Sequence, residues 1–529
     1  MLLIAGFTFL SLAAQGLETV EVPLGKLPDS MTTRNIVVSP DGRRVAFIEK
    51  RGDKECVVID GVADKLYDAI PSVPLTEAGP VRQIIFSPDS KRVAYVAKSG
   101  NRCFVVDNGA EGPPFTRIQV GAPTFSRDSK RMAYRAEFEA TAVVVVDGKI
   151  SKPYDDVYTT DNFFSNSGER VLFTAMRGKE RLVVLDGTEI PEEHFHGEAD
   201  FSENGHAVDV VKVDAGWIVY IDGMPSKPYR SVGNNIVFSS DNKRVLYQAS
   251  DSAGDFLVID GVEGKRYPNI AENSYSFTPD GKGYVFVVRT AAAAFVVLNE
   301  VEGESFSWVS DPVFSTDGSS MAYVAEEAGK RFVVQDVKKS EEYKDFAIWP
   351  HFFPKGNSLV FAGKNDREHL NVGKQVTIYD EIGTTAFSPD GKTFAYSARV
   401  GDAWNARVAS MPAGSFTERN VIFAFSSGTT RHAAFGPNGN KTALFIDGLN
   451  SGSYDDIAFA GFSPVGNKLY WLSLTAGKWS VKSEQGTGKE YDEVVQQGSP
   501  AFDETGSLCF LAVRGKAIYR VRVSPAKSI

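Results

Sequence analysis

Phe86-Ser-Pro-Asp-Ser-Lys-Arg-Val-Ala-Tyr95 and Phe387-Ser-Pro-Asp-Gly-Lys-Thr-Phe-Ala-Tyr396 are two copies of one phrase, and its return along the chain decides the architecture. Its leading residue, usually Phe, is read at Val38, Phe86, Phe125, Phe164, Phe201, Phe238, Phe277, Phe314, Phe353, Phe387, Phe435, Phe462 and Phe502. These positions lie about 39 residues apart on average, close to the size of a four-stranded propeller blade; ankyrin and tetratricopeptide units are shorter and helical.

The stretch Ser274–Glu300 shows how one repeat is built. Tyr275 to Thr278 reads as a short strand and Pro279-Asp-Gly-Lys282 as a turn, in which Pro presets φ, Asp bonds the backbone and Gly supplies a left-handed residue. Tyr284–Val288 is a second strand and Phe295–Leu298 a third, matched by Cys56–Ile59, Val143–Val146, Phe256–Ile259 and Phe332–Val334. The third strands are continuous apolar runs, which implies burial on both faces, as between neighbouring blades. Asp-Gly then marks a turn, and Tyr-Asp follows about six residues later, as in Asp60-Gly61 with Tyr67-Asp68. This second phrase predicts a fourth, outer strand drifting polar through Lys65–Ala69. No window of ten residues carries a helical period.

The fold class is therefore all-β: tandem β-propellers of four-stranded antiparallel blades, about 13 blades in all. Since one ring usually closes with eight blades or fewer, the count predicts two rings, seven plus six or six plus seven, divided as 17–308 and 309–529. Spacing is least regular between Phe353 and Phe462, where a degenerate blade or an inter-ring connection is expected. The last repeat offers only three strands, and Glu18–Leu24 is the expected source of the fourth, removing an exposed edge. Glycine (48) and proline (25) make the 529-residue chain turn-dense without reaching disordered compositions, and 43% hydrophobic residues suffice for a sizeable core.

The pattern aromatic-Ser-Pro-Asp-Gly-Lys-x-apolar-Ala-Tyr/Phe, carried by Val38–Phe47, Phe86–Tyr95, Phe277–Phe286 and Phe387–Tyr396, resembles the TolB-type, WD-like propeller family of bacterial envelope proteins and of some serine peptidases. The resemblance covers nearly all of residues 36–523 and implies the fold. Its residues are turn and core positions, so it says little about activity. The third and fourth strands depart from the TolB form.

Met1–Ala14 is an apolar segment too short to span a bilayer, followed by small residues suited to signal peptidase. Residues 1–16 are accordingly expected to be a signal peptide and the protein periplasmic or secreted, although no Lys or Arg precedes the apolar segment. No other segment would form a stable membrane span. The formal net charge of −10 and the lack of a basic cluster argue against nucleic acid as a partner. Cys56 and Cys103, read as equivalent positions of successive blades, should not form a disulfide.

Chemical constellations are sparse. In Glu192-Glu193-His194-Phe195-His196, alternation puts two imidazoles on one face, with His206 ten residues on; a third metal ligand has to be assumed, so the segment reads as a solvated loop. His351, His369 and His432 are scattered. No Gly-x-Ser-x-Gly elbow occurs, and no hydrolase-sized remainder follows the repeats. The Tyr-Asp pairs at Tyr67, Tyr154, Tyr379, Tyr454 and Tyr491 fit either a ring of ligand-binding aromatics or inter-blade packing, and their lockstep with the fold favours packing.

No catalytic, cofactor-binding or metal-ligating residue is assigned, and no cofactor is expected. The reading is an exported, non-enzymatic propeller scaffold, monomeric, that binds a protein or an extracellular glycan or peptide through loops on a rigid frame. The alternative is a propeller lyase or hydrolase with its site in a central channel.

Overall fold

The computed structural model describes residues 16–27, 36–71, 84–119, 123–158, 163–165, 167–191, 200–201, 206–222, 224–495 and 500–525. It is all-β, with no helix among the described residues, and its strands form thirteen antiparallel sheets. The sheets are propeller blades of four strands from inner to outer, in chain order except for the outermost strand of blade 13, and in blades 3, 8 and 13 the inner strand is made of two short pieces. Blade 1 spans Val37–Ala63, blade 2 Ile84–Glu111, blade 3 Arg117–Ile150, blade 4 Asp156–Pro191, blade 5 Asp200–Pro225, blade 6 Ser231–Glu263 and blade 7 Ser276–Glu302. Blade 8 spans Trp308–Lys339, blade 9 Asp345–Tyr379, blade 10 Glu381–Phe416, blade 11 Ile422–Tyr454, blade 12 Asp456–Tyr491 and blade 13 Glu493–Pro525 together with Leu17–Lys26.

Blade 7 shows why the phrase folds this way. Its strands are Ser276–Phe277, Tyr284–Arg289, Ala294–Leu298 and Val301–Glu302. In the first turn Thr278 Oγ1 donates to Asp280 Oδ1 at 2.6 Å and accepts from the Gly283 amide at 2.9 Å, and Gly281 takes the left-handed φ of +69°. In the second, Asn299 is itself left-handed and its Oδ1 accepts the Tyr284 amide at 2.9 Å. Side chains here satisfy backbone groups that no strand pairing reaches. Val296 and Val297 of the third strand are both buried, as expected for a strand covered on both faces.

In blades 1 to 3 the outer strand is shorter than its phrase suggests. In blade 1 it is only Val62–Ala63; the Asp64 amide then bonds Val57 O, and Tyr67 pairs alone with Glu55. Lys65–Ala69 is therefore the passage into the next blade rather than a fourth strand. Tyr67 closes the outer edge, while Asp68 already accepts from Gly100 of blade 2.

Two leading residues move. Phe352, not Phe353, ends the inner strand of blade 9, and Phe353 takes the place that serine holds elsewhere, its amide bonding Ser358 O. In blade 11 the inner strand is Ile422–Phe425, so Phe425 leads and Phe435 lies in the second strand. With 387, 425 and 462 as leading positions the spacing evens out, and blade 11 is a complete four-stranded sheet rather than a degenerate one. The cysteine register also shifts. Glu55 pairs with Tyr67 as Cys103 pairs with Phe115, so Cys56 is one position off Cys103, and all three cysteines are free thiols.

The chain divides into two compact units. One comprises Met1–Ala46, Ile59–Val62 and Ala403–Ile529. In it, Leu17–Lys26 pairs antiparallel with Ala517–Pro525, from Leu17↔Pro525 to Lys26↔Ala517. The first strand among the described residues thus completes blade 13. Glu21 fixes it further, accepting from Tyr491 Oη at 2.8 Å, Lys489 Nζ at 2.9 Å and Arg514 Nη1 at 3.0 Å. Burial would raise the Glu21 pKa, but the bonds from Arg514, Lys489 and Tyr491 outweigh it and hold the carboxyl at about 2.

The other unit comprises Phe47–Val58 and Ala63–Asp402. Its blades pack face to face through apolar clusters. Residues 308 and 309 lie inside it, where Val287, Val296 and Phe306 of the blade 7 side pack with Tyr323, Phe332 and Val334 of blade 8.

A polar latch repeats along with this core. Arg131 Nε bonds Asp147 Oδ2 of its own Asp-Gly turn at 2.9 Å, and Nη1 reaches the Glu169 carbonyl of the next blade at 2.8 Å. Its Cζ lies 5.3 Å from the ring centroid of Phe164. Arg92 with Asp107 and Phe125, Arg244 with Asp260 and Phe277, and Arg431 with Asp447 and Phe462 repeat the arrangement. The basic residue of the phrase is an inter-blade tie.

Candidate functional site

The residues that recur with the blades are occupied by the fold. Tyr154 is buried, meets Phe173 edge-on with centroids 6.0 Å apart and donates to Glu189 at 3.0 Å. Burial first and that bond second push its pKa up to about 12, so it stays protonated. Tyr67, Tyr379, Tyr454 and Tyr491 are likewise buried, against Tyr95, Tyr396, Trp471 and Phe510. The acids after Tyr379, Tyr454 and Tyr491 accept from the amides of Gly401, Ala476 and Gly515. The Tyr-Asp phrase packs blades and closes turns.

The histidines follow the same rule. His206 stands where other blades carry the latch arginine: its Nδ1 lies 2.5 Å from Asp222 Oδ2, and its ring stacks on Phe238 at 4.5 Å. It is therefore tied into the inter-blade latch, while His194 and His196 lie outside the described residues. His432 is buried behind Arg431, His351 contacts Phe387 edge-on and His369 contacts Tyr343. Among the described residues no three His, Cys, Asp or Glu side chains cluster as metal ligands.

Two clefts are also products of the repeat. One of about 500 Å³ lies between blades 3 and 4, lined by Tyr154, Ile150 and Lys152, and one of about 450 Å³ between blades 2 and 3, lined by Tyr134, Glu111 and Met132. They share Asp147 and sit at equivalent places beside two-residue outer strands, Ala110–Glu111 and Lys149–Ile150, too short to fill the gap.

One constellation breaks the repeat. Trp308 begins the inner strand of blade 8 after Phe306-Ser307, where blade 4 has Asp156 after Tyr154-Asp155. The inner strand of blade 9 is eight residues long and irregular in register on either side of Ile348, and it carries Trp349. The two indoles meet at 6.3 Å and 68°, and Trp349 lies 5.9 Å from buried Phe346. Trp349 is 48% exposed, unusual for so large an apolar surface beside a core. Arg289 and Arg331 place their Cζ atoms 6.0 and 5.9 Å from the Trp308 ring centroid. Arg331 is fixed by Glu326 and Asp345, both at 3.0 Å, and the Glu326 bond chiefly holds its pKa above the ordinary value. Arg289 donates to Val309 O at 3.2 Å.

The result is a rigid aromatic platform edged by two held guanidiniums. It suits a flat apolar or sugar face, or an aromatic side chain with an acidic neighbour. It holds no nucleophile paired with a base. Sequence reasoning passed over both tryptophans because it followed what recurs; the signal was Trp308 in the position after the phrase, where Asp156, Glu381, Asp456 and Glu493 are acidic.

No protein-family model matches the chain, and no curated protein matches it. Among solved structures it is similar to a eukaryotic initiation factor, with 13% identity and a TM-score of 0.29 over 83% of this chain and 99% of that one. It is also similar to dihydro-heme d1 dehydrogenase NirN in complex with DHE (14%, 0.24, over 66% and 80%). A third is the Myceliophteria thermophila Cps50 (Swd1) beta-propeller domain (10%, 0.20, over 48% and 98%). The fold assignment rests on the thirteen blades themselves.

Proposed function

We propose that the protein is an exported, non-enzymatic β-propeller scaffold that binds a protein, or an extracellular glycan or peptide, on the Trp308–Trp349 platform. The supporting observation is a half-exposed indole on a rigid inner strand, held by Phe346 and Trp308, in a molecule whose other recurring aromatics are mostly buried. Rigid aromatic anchors ringed by polar groups are what binding hot spots are made of. Export rests on the Met1–Ala14 segment, which lies outside the described residues.

A photo-crosslinking residue placed at 349 and, in a second variant, at Val262, 69% exposed, tests the site in envelope extract. A discrete adduct at 349 that is absent at 262 and lost with Trp308→Ala is the expected result. Equal labelling at both positions would remove the platform from consideration. Sequencing the N-terminus of protein recovered from the envelope tests export: cleavage near residue 16 is expected, and retention of Met1 in the cytoplasm would count against it.

A further inference from the structure

The outer strand of blade 9, Gln375-Val-Thr-Ile-Tyr379, is an unprotected sheet edge. It pairs with Glu368–Val372 in unbroken register, from Glu368↔Tyr379 to Val372↔Gln375. The other long outer strands of blades 10 to 12 are each blunted. Met411–Phe416 contains Pro412 and Gly414 and shifts register at Ala406/Arg407; Leu449–Tyr454 shifts at Leu444/Phe445; Gly486–Tyr491 shifts at Ser480/Lys482, with Lys489 and Tyr491 bonded to Glu21. Bulges, prolines and cover are the usual defences of such edges. Blade 9 has none of them.

The direction of its free groups follows from the hairpin. A two-residue turn, Gly373-Lys374, closes on Val372↔Gln375, so Gln375, Thr377 and Tyr379 direct their backbone groups at the inner neighbour. Val376 and Ile378 then direct N–H and C=O outward. Their side chains are 50% and 46% exposed on one face of the strand.

We propose that this edge pairs with the same edge of a second copy of the chain, giving a two-fold dimer with a continuous sheet across it. Antiparallel pairing centred on Thr377 sets Val376 opposite Ile378 of the partner and Ile378 opposite its Val376. Both are outward-bonding residues, so each pair exchanges two hydrogen bonds and stacks two apolar side chains on one face. The same register brings Lys374 opposite Asp380 of the partner, an opposite-charge pair made twice. The strand is thus complementary to itself in hydrogen bonding, apolar contact and charge. Since five residues bury little area, the dimer is weak and concentration-dependent.

Sedimentation of the full chain over a concentration series is the test. The expected result is a reversible monomer–dimer equilibrium, abolished by Val376→Pro, which removes only an outward N–H, and by Ile378→Lys, with melting curves unchanged in both. Thr377→Cys should give a disulfide-linked dimer under mild oxidation, since non-hydrogen-bonded antiparallel partners lie within bridging distance, and Val337→Cys should not. A chain that stays monomeric at every concentration, or a dimer that survives Val376→Pro, overturns the proposal. So does a monomer whose edge takes up an unrelated extended peptide instead.

Discussion

The outer strands of blades 1, 2 and 3 are two residues long, whereas those of blades 9 to 12 run to five or six. In the short set a left-handed turn residue such as Asp60 or Asn108 and one paired aromatic finish the blade, leaving too little edge to recruit another chain. In the long set the edge is a full strand, and three of its four members carry a register shift close by. The contrast teaches that the fold needs little of its fourth strand. Where more is built, it either has to be defended or is used.

Blade 13 tests that lesson most severely, because its outer strand comes from the other end of the chain. Deleting residues 17–27 bares Ala517–Pro525 as a nine-residue edge and removes the Glu21 ties. Calorimetry should show the melting temperature falling by several degrees, with aggregation on heating; an unchanged trace would mean the strand contributes nothing.

Next in size are the leading aromatics. Phe277 is buried at 8% exposure under Arg244, so Phe277→Ala should cost about 3 kcal/mol or more in denaturant unfolding. Phe387 is only half-buried, and Phe387→Ala should cost less than Phe277→Ala. Equal losses would mean that exposure at the leading position does not set its energetics.

Acid should loosen the blade 13 closure. The folded pKa of Glu21 is depressed from 4.5 to about 2, so its contribution is complete above the unfolded value and is lost as pH falls from about 4.5 toward 2. The loss is on the order of 3 kcal/mol. Glu21→Gln should flatten that part of the stability–pH curve, and an unaltered curve would mean the carboxylate is not the group titrating.

Smallest are the ties and tips. Arg131→Met removes an ion pair, a carbonyl bond and a ring contact at a partly exposed site and should cost about 1 kcal/mol by urea titration. Val337→Ser, at 89% exposure on a hairpin tip, should stay within about 0.5 kcal/mol.

Blade number, strand order and the N-terminal closure were legible in the sequence, because a turn built from Ser-Pro-Asp-Gly and an apolar third strand each follow from local chemistry. Phe425 was missed because its turn, Ser426-Ser-Gly-Thr429, lacks the Pro-Asp-Lys signature, and Phe435 nearby looks equally aromatic. The cysteine register was missed because an apolar run buried on both faces has no alternation to fix its phase. The platform and the blade 9 edge were invisible for a related reason. A repeat teaches the reader to average, and Trp308, Trp349 and the unbulged Gln375–Tyr379 are departures from the average.

The pairing of Leu17 with Pro525 has one more consequence, and it concerns time. Leu17–Lys26 is synthesised long before Ala517–Pro525, so it cannot take its place until the whole stretch between them has been made. Closing a loop of that length is entropically slow. Until it closes, blade 13 is a three-stranded sheet with a bare flank that invites pairing with other chains.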